Sequence, residues 1–500
     1  MIQGYVKKQG RYPDKLGIIL WSTETQRNEG VNESAILNLL GITPVWDRKD
    51  RVVDLEPIPG AILKRPRIDV LVQASGLYRD SFPEVIKLLD RAVRMAGALR
   101  DVENFVAVNN KKIVQALLNN GYSQEDAEEL SQYRIFAPMP GAYSHALQEL
   151  IPNSGVWEDE KEIADVFIHH YSFAYGDKLW GRPLKSAYKS NLEDVDITMH
   201  ISSSNLYYML DNDDMFAFLG GLSLAVKTQR GEYPDVQVAN HQNGKEIKLE
   251  SLSRSIGKAL RTRYLNPEWI KGMKKEGYAG ARAMDKFVEY LWGFQVTTPF
   301  AVDRTDWRQI YEVYIKDRYD LNLKEFFDRN NPWAEQSIAA RMLEAIRKRY
   351  WDAPELIKKD LARTYAINVI EKGMACCEHT CNNPMLQQFV ANVISLFGLL
   401  TPEQLDQFKM VLSKATGKGQ EQNEADMKRL QSSLAKTIKE IQKNEDPKAH
   451  EEGKRIEGFE MVEEKGEEPK IAASGASWVV MAIVVSLLAL LFLGWKRMKV

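Results

Sequence analysis

The N-terminal part of the chain alternates short apolar runs with segments whose apolar residues recur every three or four positions. Residues 16–20 and 65–72 form runs with the length of buried strands. Residues 31–40 and 84–98 have the apolar spacing of helices that pack against such strands. Strand, loop and helix repeated in this order require right-handed crossovers. We therefore predict an α/β fold with a parallel-sheet domain over residues 1–140.

Helical spacing dominates the chain beyond that domain. The pattern recurs in the following segments: residues 283–294, 307–315, 334–350, 353–372 and 385–398. We predict a mixed, mainly helical domain over residues 141–400. Residues 401–443 alternate charged and polar side chains around a thin apolar stripe, which predicts an exposed helical arm. Residues 444–476 are rich in acidic and poor in apolar residues, which predicts a disordered acidic linker.

An uncharged apolar run lies near the C-terminus, at residues 478–495, with a tryptophan at each end. Its length corresponds to roughly 27 Å of helix, enough to cross the hydrocarbon core of a bilayer. We therefore predict one transmembrane helix over residues 477–495, a single-pass anchor to the membrane. Residues 1–16 contain no apolar stretch of signal-peptide length, so we expect the body to lie in the cytoplasm.

Composition narrows the function classes further. The chain has 500 residues, of which 44% are hydrophobic, so it can bury large cores. Its net charge is -2, and no long basic block occurs before the C-terminal end, so we expect no nucleic-acid partner. The three cysteines lie within residues 376–381 and form no spaced disulfide framework, so we expect them to be reduced.

Two polar segments follow the two predicted N-terminal strands and form the first candidate site. Residues 20–30 include Trp21, Glu24, Arg27 and Asn28, and residues 75–83 include Arg79 and Asp80. Because the carboxyl ends of parallel strands meet at one sheet edge, we expect these side chains to face a common ligand crevice. The alternative interpretation is a solvated connection that ends in a helix N-cap.

A second candidate site is the cluster of Cys376, Cys377, His379 and Cys381. On a continuous helix these four side chains cannot converge on one ion. If residues 382–384 unwind the segment, thiolate and imidazole ligands would suit zinc, cobalt or an iron–sulfur cluster. The alternative is a packed, reduced structural element. Upstream, three glycines within residues 272–280 indicate close approach of the backbone to a ligand or a neighbouring helix.

Ordered sequence blocks resemble the large subunit of the cobaltochelatase and magnesium-chelatase family. They are residues 20–30, 39–47, 65–70, 75–83, 266–281 and 376–384. The resemblance runs from about residue 15 to about residue 398. It implies insertion of Co(II) or Mg(II) into a tetrapyrrole, as in cobalamin biosynthesis, with ATP hydrolysed by separate AAA+ partner subunits. The chain contains no Walker A pattern, which agrees with an ATPase located elsewhere.

The resemblance suggests roles for the candidate residues. Metal insertion needs a proton acceptor, cations that hold carboxylate side chains, and stacking groups. We predict Glu24 as the base, with His145 and Glu276 as the next candidates. The predicted substrate-binding residues are Trp21, Arg27, Asn28, Arg65, Arg67, Arg79 and Asp80.

The chain also departs from the family pattern. Family members are usually much longer, so part of the tetrapyrrole cavity would come from a separate N-terminal chelatase polypeptide. Glu276 stands where the family pattern has histidine, and a terminal membrane anchor does not belong to that pattern. The rival hypothesis is a membrane-tethered tetrapyrrole-binding or carrier protein without chelation activity.

Overall fold

The computed structural model describes residues 1–144, 146–243, 246–375, 379–417 and 420–443. These residues belong to one compact unit, Met1–Ala449. The predicted acidic linker and transmembrane helix lie outside the described residues, as do His145, Cys376 and Cys377. Among the helices of the described ranges, none is both long enough and apolar enough to cross a membrane. The anchor at residues 477–495 stays a prediction.

An eight-stranded sheet runs through the centre of the fold in the order β10-β9-β8-β1-β4-β5-β6-β7. Its strands are β1 (Lys15–Leu20), β4 (Asp69–Ala74), β5 (Ile135–Ala137), β6 (Phe173–Tyr175), β7 (Trp180–Pro183), β8 (Val195–Ser202), β9 (Asp235–Asn240) and β10 (Lys248–Ser251). The five central strands are parallel, whereas β6, β7 and β10 pair antiparallel at the two edges. The prediction of a parallel sheet is confirmed for this central part.

The sheet extends beyond residue 140, where we predicted the end of the α/β domain, since five of its strands follow that position. The segment that follows the helix at residues 31–40 does not join this sheet. It forms β2 (Ile42–Trp46), which joins β3 (Val52–Pro57) in a separate antiparallel pair. Pro44 lacks the backbone donor that a central strand needs, which is consistent with this peripheral position.

Twelve α-helices precede residue 231 in the described part of the chain. They are α1 (Ile2–Gln9), α2 (Ser22–Asn28), α3 (Val31–Leu40), α4 (Gly60–Leu63), α5 (Gly76–Ser81), α6 (Pro83–Ala98), α7 (Phe105–Asn119), α8 (Gln124–Leu130), α9 (Ala146–Leu150), α10 (Glu160–Tyr171), α11 (Lys185–Glu193) and α12 (Gly221–Arg230). The predicted helices at residues 31–40 and 84–98 are confirmed. The polar segments after β1 and β4 were predicted as loops, but each contains a short helix, α2 and α5. The Ser75 side chain caps α5 by accepting from the Tyr78 N–H.

Helices make up the remainder of the described chain. They are α13 (Leu252–Ala259), α14 (Pro267–Lys275), α15 (Tyr278–Thr297), α16 (Arg304–Ile310), α17 (Leu323–Asn330), α18 (Pro332–Arg347), α19 (Glu355–Lys372), α20 (Pro384–Phe397), α21 (Pro402–Thr416) and α22 (Gln420–Lys443). Short π-helical segments extend α13 and α16 and precede α12, at Leu260–Tyr264, Tyr311–Ile315 and Phe216–Gly220, and a 3₁₀ turn covers Pro299–Ala301.

The predicted exposed arm forms α21 and α22, and both helices contact the body. Phe408 of α21 is fully buried in the core, next to Tyr365 of α19. The Gln431 side chain of α22 donates to the Gly155 carbonyl at 2.8 Å. The thin apolar stripe of this segment therefore packs against the body.

Alternate residues of each central strand enter two different cores. Leu16, Ile18 and Leu20 of β1 pack in the core formed with α3 and α6, whereas Ile19 packs with the large helical region. Burial on both faces explains why these strands are continuously apolar. The helical region is thereby attached directly to one face of the sheet.

Candidate functional site

A cavity of about 820 Å³ opens in the helical region. Its lining comes from α15, α18 and the segments that flank them, and includes Gln148, Glu149, Asn153, Asp213, Phe216, Tyr278, Arg282, Asp285, Lys286, Glu289, Tyr290, Trp333, Ser337 and His379. Ligand sites in proteins commonly occupy about 300–1,000 Å³. The cavity is therefore large enough for a ligand of considerable size.

Two local sequence features place the helices that carry the cavity. Asn331 caps α18 by accepting from the Trp333 N–H, and Pro332 occupies the first turn. At the start of α15, a Cβ atom on Gly280 would lie 1.8 Å from the Met273 carbonyl oxygen, so only glycine allows α14 to pack this closely. Of the two explanations that the glycine-rich segment left open, the structure shows the neighbouring helix at this position.

A buried ion pair lies beside the cavity, and Glu289 is its member in the cavity lining. Arg341 of α18 donates to both carboxylate oxygens of Glu289 on α15, from Nη2 to Oε1 at 2.7 Å and from Nε to Oε2 at 3.0 Å. Burial alone would raise the pKa of Glu289, but the Arg341 guanidinium outweighs it and holds the pKa below its usual value. The guanidinium also lies 4.9 Å from the ring of Trp292. Glu289 is therefore ionised and held in place.

His379 and Ser337 connect this ion pair to a second carboxyl group, that of Asp285. His379 Nδ1 lies 3.5 Å from Glu289 Oε2, and its Nε2 lies 2.8 Å from Ser337 Oγ. Burial, reinforced by Arg341, lowers the pKa of His379 to about 3, so the imidazole is neutral. Ser337 and Asp285 line the same cavity, and burial raises the pKa of Asp285 to about 6 although Ser337, as a hydrogen-bond donor, acts to lower it. We call the series from Asp285 to Arg341 the buried polar chain.

Aromatic and basic side chains surround the cavity mouth. Tyr278 and Trp333 are 57% and 43% exposed, although both line the cavity. Arg282 and Lys286 lie one turn apart on α15, beside Asp285. The arrangement combines flat apolar surfaces and cations at the mouth with carboxyl groups inside, so it can hold a flat anionic ligand near groups that take up protons.

At the sheet edge, the structure brings the two predicted segments together, because β1 and β4 are adjacent and α2 contacts α5. Glu24, however, is only 2% exposed. Its carboxylate accepts from the Ser203 N–H at 3.0 Å and from Arg27 Nη1 at 3.1 Å. A buried carboxylate needs such partners, and here protein groups supply them. The role of Glu24 as the base stays a prediction.

The other predicted arginines bind backbone carbonyls. Arg65 donates to Leu39 O at 3.1 Å, and Arg67 donates to Gly41 O at 2.6 Å. Arg79 donates to Met139 O at 2.7 Å and pairs with Asp80 at 2.6 Å. The side chains of Arg67 and Arg79 have no exposed surface. These contacts connect loops to the sheet, and substrate binding by these arginines stays a prediction.

The remaining predicted residues occupy varied positions. The Trp21 ring lies 4.3 Å from that of His200 and packs on the helical core. Asn28 Oδ1 accepts from the Gly30 and Val31 N–H groups, each at 3.1 Å. Asp80, besides pairing with Arg79, accepts from the Tyr143 hydroxyl at 2.6 Å.

Of the two predicted catalytic residues that the structure describes, Glu24 and Glu276, Glu276 lies nearer in sequence to a residue of the cavity lining. It is exposed at the end of α14, two positions before the cavity residue Tyr278.

The predicted metal site at the Cys/His cluster requires a correction at Cys381, whereas Cys376 and Cys377 lie outside the described residues. Cys381 is disulfide-bonded, which also contradicts our expectation of reduced cysteines. An oxidised sulfur offers no thiolate to a metal. His379 belongs instead to the buried polar chain, and in the described part of the chain no group of three or more His, Cys, Asp or Glu residues is arranged to hold a metal ion.

Four residues in or beside this cavity were not predicted from the sequence: Asp285, Glu289, Ser337 and Arg341. A signal for them exists: Glu289 and Arg341 are charged residues within apolar stretches of helical periodicity. Buried charges of this kind need partners and therefore indicate a polar cluster.

Comparison with known proteins identifies the family to which the chain belongs. The family model described as CobN/Magnesium Chelatase matches residues 1–357. The aerobic cobaltochelatase subunit CobN of a Sinorhizobium species is 32% identical over 70% of this chain and 27% of its own length. The chloroplastic magnesium-chelatase subunit ChlH of Oryza sativa subsp. indica is 29% identical over 72% of this chain and 26% of its own length.

A solved structure agrees with these matches. The catalytic subunit of cobaltochelatase from Mycobacterium tuberculosis superimposes with a TM-score of 0.68 and 31% identity, over 73% of this chain and 30% of that one. The chain thus spans less than a third of the length of these relatives. The match extends through the sheet and through both helices that form the ion pair, and the chain belongs to the CobN/magnesium chelatase family.

Proposed function

We propose that this chain acts in the insertion of Co(II) or Mg(II) into a tetrapyrrole, and that the cavity between α15 and α18 forms part of the chelation site. Membership of the chelatase family supports the reaction class. Separate AAA+ subunits would hydrolyse ATP. The chain spans less than a third of the length of these relatives, and its cavity would form one part of the tetrapyrrole enclosure.

The observation that carries the proposal is the combination of groups in this one cavity. The exposed rings of Tyr278 and Trp333 offer stacking surfaces to a flat macrocycle. Arg282 and Lys286 would pair with its carboxylate side chains. Asp285 lies within reach of the same space and would serve the ring nitrogens.

The metal ion is a substrate in this proposal. Carboxylate oxygens suit Mg(II) and accept Co(II), and Asp213 and Glu149 bring two such groups to the cavity lining. The acidic lining would raise the local concentration of a divalent cation beside the bound macrocycle.

The test is a binding titration of the full chain with a hydrogenobyrinate-type and a protoporphyrin-type tetrapyrrole, followed by the absorbance of each ligand. We expect saturable binding of one of them. Tyr278→Ala and Trp333→Ala should each weaken it by about 1 kcal/mol, or roughly fivefold, because each removes a stacking surface.

Trp180→Ala is the matched control, because Trp180 is 41% exposed but lies on β7, outside the cavity lining. Equal weakening in all three variants, or no binding of either ligand, would contradict the proposal. Binding without metal insertion, when AAA+ subunits and ATP are present, would identify a carrier.

A further inference from the structure

We infer that Asp285 is the group that takes up the pyrrole protons during metal insertion, and that Ser337 and His379 position its carboxyl group. This inference rests on the proposed function. The sequence patterns singled out His379 but neither Asp285 nor Ser337, and the inference assigns different tasks to the two carboxyl groups of α15.

The carboxyl groups of Asp285 and Glu289 differ in the groups that stabilise their negative charge in the protein. Both oxygens of Glu289 accept from Arg341, so Glu289 carries a fixed negative charge and is a poor proton acceptor. Asp285 is half-buried at the cavity surface, and its direct partner is the uncharged hydroxyl of Ser337. The charged groups that act on it are Lys286 and Arg282, which favour the carboxylate, and Glu289, which opposes it.

Ser337 can serve Asp285 in both protonation states. A serine hydroxyl has one proton to donate and lone pairs to accept with. When Asp285 is ionised, Ser337 donates to the carboxylate. When Asp285 is protonated, its O–H donates to Ser337 Oγ, and the hydroxyl proton turns to His379 Nε2, which lies 2.8 Å away. His379 is neutral and can accept it, while its Nδ1 faces the ionised Glu289 at 3.5 Å.

Transfer of the pyrrole protons to Asp285, one after the other, accounts for every proton released during metal insertion. Insertion of a divalent ion releases two protons from the macrocycle. In each transfer an N–H bond breaks, the electron pair stays on nitrogen and then binds the metal, and an O–H bond forms on Asp285. The carboxyl group returns the proton to water at the cavity mouth and accepts the second one. A carboxyl group with a pKa of about 6 is mostly ionised at pH 7, yet releases and accepts protons readily near that pH.

The experiment measures tetrapyrrole affinity and the pH dependence of Co(II) insertion in parallel, using the full chain with AAA+ subunits and ATP. The wild-type insertion rate should fall as the pH drops below about 6, because Asp285 becomes protonated. Asp285→Asn should keep the affinity within a few-fold and lower the insertion rate by about a hundredfold. It should also abolish the acid limb of the pH profile.

Variants of Ser337 provide an independent readout, which holds even if Asp285→Asn fails to fold. Ser337→Ala removes the donor to the charged carboxylate, and this bond is stronger than the one made by the neutral form. The pKa of Asp285 should therefore rise and move the acid limb to higher pH. Ser337→Thr keeps the hydroxyl and should restore the wild-type profile.

Asp306→Asn is the matched control. Burial raises the pKa of Asp306 to about 6 as well, but this residue belongs to the capping box in the first turn of α16, outside the cavity lining. Its variant should leave the pH profile unchanged. An unchanged rate and acid limb in Asp285→Asn, or an unmoved limb in Ser337→Ala, would overturn the role of Asp285 while leaving the proposed function intact. If the wild-type chain binds no tetrapyrrole, or binds it without inserting metal, the proposed function and the role of Asp285 both fail.

Discussion

Replacing Arg341 by methionine should destabilise the protein strongly, because the Glu289 carboxylate would stay buried without its cation. Glu289 is only 8% exposed, and Arg341 contacts both of its oxygens at 2.7 to 3.0 Å. Removing one partner of such a pair costs about 3–5 kcal/mol. Methionine keeps much of the aliphatic volume against Trp292, so most of this loss should be electrostatic.

The loss should depend on pH, with a sign that follows from the ion pair. In the wild-type protein the pKa of Glu289 lies below its usual value. Its ionisation therefore adds stability at pH values above the unfolded pKa of about 4.3. That contribution disappears as the pH falls through the folded pKa. Without Arg341, burial would outweigh the remaining effects of His379 and Lys286, and the pKa of Glu289 would rise above the unfolded value. The group would then destabilise the protein at neutral pH and become neutral to stability in acid.

The assay is denaturant unfolding of the full chain at pH 7 and pH 5. Arg341→Met should lose most stability at pH 7 and less at pH 5. The double variant Arg341→Met/Glu289→Gln should recover much of the loss, since no unpaired charge remains. Arg329→Met is the control, because Arg329 is exposed and its i,i+4 pair with Glu325 contributes less than about 1 kcal/mol. A loss below 1 kcal/mol at pH 7, or a loss that is independent of pH, would refute this account of the buried pair.

Three other perturbations test separate parts of the chain. Gly280→Ala should lower the melting temperature, at a cost of about 1–3 kcal/mol, because the Met273 carbonyl blocks the new methyl group, whereas Gly272→Ala has open space and should not. Arg79→Ala should destabilise the fold by about 1–3 kcal/mol in denaturant unfolding, and Arg27→Ala by less than about 1 kcal/mol, because only Arg79 is fully buried. A folded Arg79→Ala protein that had lost only tetrapyrrole binding would instead support the predicted sheet-edge site. Deleting residues 476–500 should release the chain from membranes in high salt, as tested by fractionation, because it removes the apolar run.

Local patterns predicted the elements whose periodicity is long or whose apolar runs are continuous. The helix at residues 31–40 has the bounds expected from its apolar spacing, and the strand at residues 16–20 agrees to within one residue. The short helix α2 was missed because its residues are mostly polar and too few to show a period. The strand β8 was missed as well, although its apolar and polar residues alternate as in a half-buried strand, and all of its residues are buried.

The order of residues along the chain was enough to predict the family, the parallel centre of the sheet and most of the long helices, because each of these depends on local patterns. Which polar residues form a site depends on packing in three dimensions. Glu289 and Arg341 are separated by 52 positions, and Ser337 and His379 by 42. Their contacts depend on how α15 and α18 pack and on the path of the chain after α19, which periodicity within one helix does not encode. For the same reason, local patterns did not show that Arg67 and Arg79 are buried and donate to backbone carbonyls.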